Sequence, residues 1–125
     1  MERIDGEPVL DRPSVRDVEE FFESAGPETR AVWLRLTRRG VEPGSLTADD
    51  LVDVGLCFGW VSAVRRAGDE ATYLQRYTRR RPRSKWSRLN ISKVERLTEQ
   101  GRMRPGGTAE VHAAQADGRW ANPWT

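Results

Sequence analysis

The sequence predicts an α+β fold: a small, largely antiparallel sheet with helices on one side, in a single domain. Three observations lead there. Segments that read as strands, Ala31 to Arg39 with clear alternation of faces, Trp60 to Arg66 and Ala71 to Arg79, are interleaved with segments of helical period. The resulting order is β-α-β-α-β-β followed by helices, with two strands in direct succession across Gly68-Asp69. A chain of 125 residues, 37% hydrophobic and 32% charged, holds one real hydrophobic core within a heavily charged surface.

Taken in order, residues 1–7 read as a loose leader and Pro8-Val9-Leu10 as a short edge strand, which tolerates proline at its first position. Ser14 is an N-cap with Asp17 in the first turn, and Val15, Val18, Phe21 and Phe22 recur at helical spacing until Gly26-Pro27. In the next strand Val32, Leu34 and Leu36 share one face, and Trp33, Arg35 and Thr37 share the other. A loop over Gly40 to Ser45 leads to Thr47, a second N-cap with Asp50 three residues on. The helix that follows turns Leu51, Val54 and Phe58 inward and ends at Gly59.

Beyond the two middle strands, Arg79 to Arg83 with Pro82 predicts an exposed loop. Ser84 is positioned to cap a short helix with Trp86 and Asn90 one turn apart, and Ser92 with Glu95 to form a capping box for the next. That helix presents Val94 and Leu97 inward and ends at Gly101. Pro105-Gly106-Gly107 reads as a breaker, Thr108 as the cap of a last helix over Ala109 to Asp117, and residues 119–125 as a tail.

Charge is distributed unevenly. The net charge is only +2, yet Arg65 to Arg104 holds 13 Arg or Lys against 4 Asp or Glu, a local charge of +9 on an acidic remainder. Every basic residue from Arg76 to Arg83 is Arg, whose planar fork recognises carboxylate and phosphate in bidentate fashion. The single Cys57, set among Leu56, Phe58 and Trp60, excludes an intrachain disulfide and reads as a buried structural thiol. The start has no apolar signal-peptide core, and the longest uncharged run, Val54 to Val64, is too short for a membrane helix. These features predict a cytoplasmic protein without membrane insertion.

Among site chemistries, a metal centre has only His112 to build on, and no Gly-x-Ser-x-Gly word or glycine-rich phosphate loop occurs. No cofactor is expected. The candidate ligand-binding residues are Trp60, Arg76, Arg80, Arg81, Arg83, Ser84, Trp86, Ser87 and Asn90. Trp86 supplies an apolar wall, Ser84, Ser87 and Asn90 supply hydrogen-bonding groups, and the arginines supply positive charge. The competing structural reading is that Trp60 is core, Ser84 merely caps a helix, and the arginines pair with the acidic remainder.

Several words carry a resemblance. Leu56-Cys57-Phe58-Gly59-Trp60 is followed by Arg76-Tyr77-Thr78-Arg79-Arg80-Arg81-Pro82-Arg83-Ser84-Lys85-Trp86-Ser87-Arg88-Leu89-Asn90. Then come Val94-Glu95-Arg96-Leu97, Gly101-Arg102-Met103-Arg104-Pro105 and Ala116-Asp117-Gly118-Arg119-Trp120. Together they resemble the bacteriocin-protection, YdeI/OmpD-associated family of bacterial proteins, from Pro8 to Trp124. The resemblance implies protection against bacteriocins or cationic peptides and association with an outer-membrane porin, with no assigned catalytic residues. Two departures stand out. Val61-Ser62-Ala63 replaces Ile-Asp-Gly, which removes an acid beside Trp60, and Arg79 replaces a proline. The helical extension that many members carry after the Asp-Gly-Arg-Trp word is not expected here.

Three functional readings follow. The first is a non-catalytic binding or resistance protein holding a small anionic or aromatic partner at the Arg/Trp region. The second is an enzyme of specialised metabolism with a polar pocket around Trp86. The third is a weak nucleic-acid binder without sequence specificity, since the charge is present but no recognised motif is. Oligomeric state is left open by the sequence.

Overall fold

A computed structural model describes residues 2–38, 46–81 and 83–124. The loop expected over Gly40 to Ser45, and Pro82 of the basic loop, lie outside the described residues. Strands β1 (Arg3–Ile4) and β2 (Glu7–Asp11) are followed by helix α1 (Val15–Ser24) and strand β3 (Ala31–Thr37). Helix α2 (Ala48–Phe58), strands β4 (Trp60–Ala67) and β5 (Thr72–Arg79), and helices α3 (Arg88–Glu99) and α4 (Pro105–Ala116) complete the order. The sheet runs β1-β2-β3-β5-β4, with β2 and β3 parallel and the other neighbours antiparallel. The fold is α+β.

Local chemistry sets most of the boundaries. The Ser14 and Thr47 hydroxyls accept from the N–H groups of Asp17 and Asp50, whose carboxylates accept in return from the cap residues' own N–H groups. Each helix therefore starts with two otherwise orphaned donors satisfied. At the far end of α2, Gly59 adopts φ 81°, a left-handed conformation that ends the helix and lets β4 start at Trp60.

Several expectations are corrected. Within the expected leader of residues 1–7, residues 3–7 are ordered: Asp5 and Gly6 both take positive φ, 54° and 79°, and form the two-residue turn of a hairpin. Consequently β2 is covered by β1 and is not an edge. The helix expected after Ser84 starts instead at Arg88. Ser87 caps it by accepting from Asn90 N, while the Ser84 hydroxyl is taken by Arg81 N in a turn. Ser92 accordingly lies inside α3 and caps nothing. Pro105-Gly106-Gly107 does not break the chain; proline opens α4, where its missing N–H is harmless.

Helix α2 sits at the centre because it is apolar on two faces. Toward the sheet, Leu51 and Val54 pack with Val18 and Phe22 of α1 and with Val32, Leu34, Leu36, Trp60 and Tyr77. On its other side, Leu56 and Cys57 pack with Val94 and Leu97 of α3, Val111 and Ala114 of α4, and Trp86. Phe58, expected in the core, is only partly buried and touches both clusters. The sheet's outer face holds a smaller cluster of Val9, Trp33 and Leu74, with the Arg66 guanidinium 4.6 Å above the Trp33 ring.

Helix α4 reaches α2 closely. A Cβ on Gly107 would collide with the Leu56 and Cys57 carbonyl oxygens, so only glycine allows this approach. That contact brings the start of α4 over the α2–β4 junction, where the candidate site is assembled.

Candidate functional site

Arg80 follows the last residue of β5, and its N–H donates to Gly59 O at 2.8 Å, tying it to the turn between α2 and β4. Its side chain runs inward instead of into the solvent and is 6% exposed. The guanidinium carbon lies 3.8 Å from the centroid of the Trp86 ring, and Nη2 donates to Lys85 O at 2.7 Å. Stacking on the indole and donating to the carbonyl account for one face and one nitrogen. The Nε–H has no protein partner among the described residues.

Trp86 is itself 2% exposed, edge-on to Trp120 with ring centroids 5.1 Å apart. Its Nε1–H is likewise unpartnered among the described residues. The residue before Trp120 brings a second guanidinium. Arg119 Nη1 donates to Ser84 O at 2.7 Å and Nε donates to the Asp117 carboxylate at 2.8 Å, while Nη2 is buried without a partner. Two arginines from distant parts of the chain thus grip the successive carbonyls of Ser84 and Lys85.

Glu110, half-buried on α4, supplies the nearby negative charge. Burial raises its carboxyl above the ordinary range, opposed by the charges of Arg80 and Arg119. Burial also lowers Arg80 to about 10, so it remains a cation at neutral pH. The unmet polar atoms here, Arg80 Nε, Trp86 Nε1 and Arg119 Nη2, are all donors. Buried donors left over on two guanidiniums and an indole are chemically complementary to an anion, for which the Glu110 carboxylate is a competitor.

The predicted site residues therefore divide. Arg80, Trp86 and Ser84 come together, Ser84 through its carbonyl oxygen. Ser87 serves as the α3 cap, which occupies its hydroxyl with Asn90 N, and Asn90 lies in the first turn of α3. Arg81 and Arg83 are exposed. Arg76 lies elsewhere, its Nε and Nη2 donating to Glu7 at 2.9 and 2.7 Å beside Trp33 and Leu74 on the outer face. Trp60 is core, stacked on Phe22 at 4.6 Å and covered by Arg79 at 4.9 Å. Arg119, Glu110 and Trp120 were not anticipated. The Asp117-Gly118-Arg119-Trp120 word was their signal, but no spacing rule links it to Arg80.

An open groove of about 370 Å³ lies apart from this cluster, between β2 and α1, lined by Leu10, Asp11, Asp17, Glu20 and Phe21 among others. Its carboxylates are already engaged, Asp11 by Arg12 and Arg35, Asp17 by Ser14 N, and Glu20 by Arg16. Among the described residues no cluster of three metal-ligating side chains occurs, and no helix is long and apolar enough to cross a membrane.

Residues 10–110 match the family described as Domain of unknown function (DUF8412). The chain belongs to this family. The match spans Arg80, Trp86 and Glu110 of this DUF8412 protein and stops before Arg119 and Trp120. No curated protein and no solved structure matches the chain.

Proposed function

We propose that this DUF8412 protein is a small binding protein that holds a carboxylate- or phosphate-bearing partner between Arg80 and Arg119, against the Trp86–Trp120 wall. The observation that carries this reading is the set of three unpartnered buried donors, on Arg80, Trp86 and Arg119. Leaving such groups unpaired is costly, about 1–3 kcal/mol each and more for a charge, and an anion removes that penalty. The aromatic pair favours a partner with an apolar or aromatic body behind its anionic group. The cytoplasm is its proposed location, consistent with a lone buried thiol.

A panel of small carboxylates and phosphates, each beside its neutral amide or alcohol, tests the proposal by thermal shift. Ligand at a hundred times its Kd stabilises by about 2.7 kcal/mol, a rise in Tm on the order of 10 °C for a domain of this size. We expect anions alone to give that rise, and Arg119→Gln to abolish it. Equal shifts from the neutral analogues would sink the proposal.

The resemblance to the bacteriocin-protection, YdeI/OmpD-associated family supports a protective role for such binding. The test is survival of a bacterial strain lacking the protein under bacteriocin or cationic-peptide challenge. Restoration by the natural chain but not by Arg119→Gln is the expected result; equal restoration by both removes the link between site and protection.

One observation favours the enzyme reading instead. Glu110 is a half-buried carboxyl beside two guanidiniums with its proton affinity raised, the condition of many general acids and bases. Glu110→Gln separates the readings: in a binder, removing a competing carboxylate tightens anion binding, whereas in an enzyme it abolishes turnover and leaves binding intact.

A further inference from the structure

From residue 71 to residue 94 the chain contains no Asp or Glu and eight Arg or Lys. Four of the eight are engaged: Arg76 by Glu7, Arg79 by the carbonyls of Ala25, Gly26 and Thr29, Arg80 by Lys85 O, and Lys93 by Asp53. The other four, Arg81, Arg83, Lys85 and Arg88, are exposed, and none forms an ion pair among the described residues. Arg88 stands in the first turn of α3, where α1 and α2 carry aspartates. A cation there adds to the positive end of the helix instead of offsetting it. A surface assembled this way carries uncompensated positive charge.

The tail is fastened along this same run. Arg119 Nη1 donates to Ser84 O, Trp120 abuts Trp86, and the Trp124 N–H donates to Trp86 O at 3.2 Å. Arg83 also acts electrostatically on Asp117, the C-cap of α4 just before the tail. The tail therefore presents Trp124, 62% exposed, on the basic segment, whose own Leu89 is 66% exposed. Exposed aromatic and aliphatic side chains of this size, on or fastened to a segment that carries cations without ion pairs, have no role in the core.

We propose that the face carrying Arg81, Arg83, Lys85, Arg88 and Trp124 binds single-stranded nucleic acid without sequence preference. Arg81, Arg83, Lys85 and Arg88 follow the phosphates, and the Trp124 indole stacks on a base. Single strands are held in this way because every base offers a π-face and every linkage a charge. An acidic peptide engages the cations but has no base to lay on the indole. A duplex likewise keeps its bases stacked inside. This surface is separate from the buried Arg80–Arg119 cluster and stands whether or not that cluster binds a small anion.

The experiment is fluorescence anisotropy of the full chain with a labelled oligothymidylate of roughly twelve nucleotides, within the span that single-strand sites cover. Four phosphate contacts predict a slope of about −3 for log K against log salt, or roughly fifty-fold weaker binding at 200 mM than at 50 mM salt. Arg88→Ala is expected to reduce the slope by about 0.7. Trp124→Ala is expected to weaken binding about ten- to a hundred-fold and leave the slope unchanged. Both positions are exposed, so an unaltered Tm confirms that the variants are folded. The proposal is overturned if the strand fails to bind at low salt or if Trp124→Ala binds it as the natural chain does. Polyglutamate or duplex DNA binding as tightly as the single strand also overturns it.

Discussion

Arg80 carries a charge into a site where little solvent reaches it. Stacking on Trp86 contributes about 2 kcal/mol when desolvated, and the charged hydrogen bond to Lys85 O about 1.5–3 kcal/mol. Against these stands a desolvation penalty of several kcal/mol for a buried ion, with Nε still unpaired. A side chain retained with no clear net gain in stability is better explained by a ligand. Replacing Arg80 with an apolar residue of similar length therefore tests its purpose. Arg80→Met is expected to leave the unfolding free energy unchanged or raise it by about 1–3 kcal/mol in urea titrations, while abolishing the anion-induced rise in Tm. A loss of several kcal/mol would instead make Arg80 a structural clamp for the Ser84–Ser87 segment.

Between elements, the decisive contact is that of α4 on the end of α2. Glycine inside a helix ordinarily weakens it by about 1 kcal/mol relative to alanine, so Gly107→Ala would stabilise an isolated α4. In the folded chain the added methyl meets two carbonyl oxygens of α2, both backbone and therefore unable to swing aside. Packing outweighs propensity, and Gly107→Ala is expected to lose about 1–3 kcal/mol. A Tm equal to or above that of the natural chain would show that α4 approaches α2 less closely. The caps are simpler: Ser87→Ala removes the acceptor for Asn90 N and should destabilise by about 1 kcal/mol, read from denaturant melts.

At the scale of the molecule, α2 is clasped between the sheet with α1 on one side and α3 with α4 on the other. The outer face of the sheet has no helix over it among the described residues, and is held by charge. Glu7 pairs with Arg76, Glu2 and Asp11 pair with Arg35, and Asp5 pairs with Arg66. Hydrogen bonds from Arg76, first among the causes, hold the Glu7 carboxyl below its ordinary value of 4.5. A folded pKa lower than the unfolded one gives stability that is complete above the unfolded value and lost as pH falls through the folded one. Glu110 has the opposite sign: its contribution is complete below its ordinary value and lost as pH rises through the raised one. Acid should therefore loosen the β1–β2 hairpin from the sheet. Glu7→Gln is expected to flatten the fall in Tm below pH 4.5, and an acid limb as steep as that of the natural chain would contradict the assignment.

What the sequence determined by itself was everything governed by neighbours within a turn or a strand. Ser14, Thr47 and Gly59 are local chemistry, and the alternation through β3 and β5 already separates Val32, Leu34 and Leu36 from Trp33. Local rules also competed, and there contact with the rest of the chain chose. Ser84 and Ser87 are equally good caps in isolation, and the turn to Arg81 took the hydroxyl of Ser84. Pro105-Gly106-Gly107 reads as a breaker until α2 is seen to need a side chain no larger than hydrogen. Of the site, the Arg80–Trp86 half was legible because five residues separate them. The Arg119 and Glu110 half was not, because it lies some thirty to forty residues further along the chain. Periodicity carries no information about pairs at that range. Only closure of α4 over Gly59 and the return of the tail along Ser84 to Trp86 bring the second guanidinium and the carboxyl to the first.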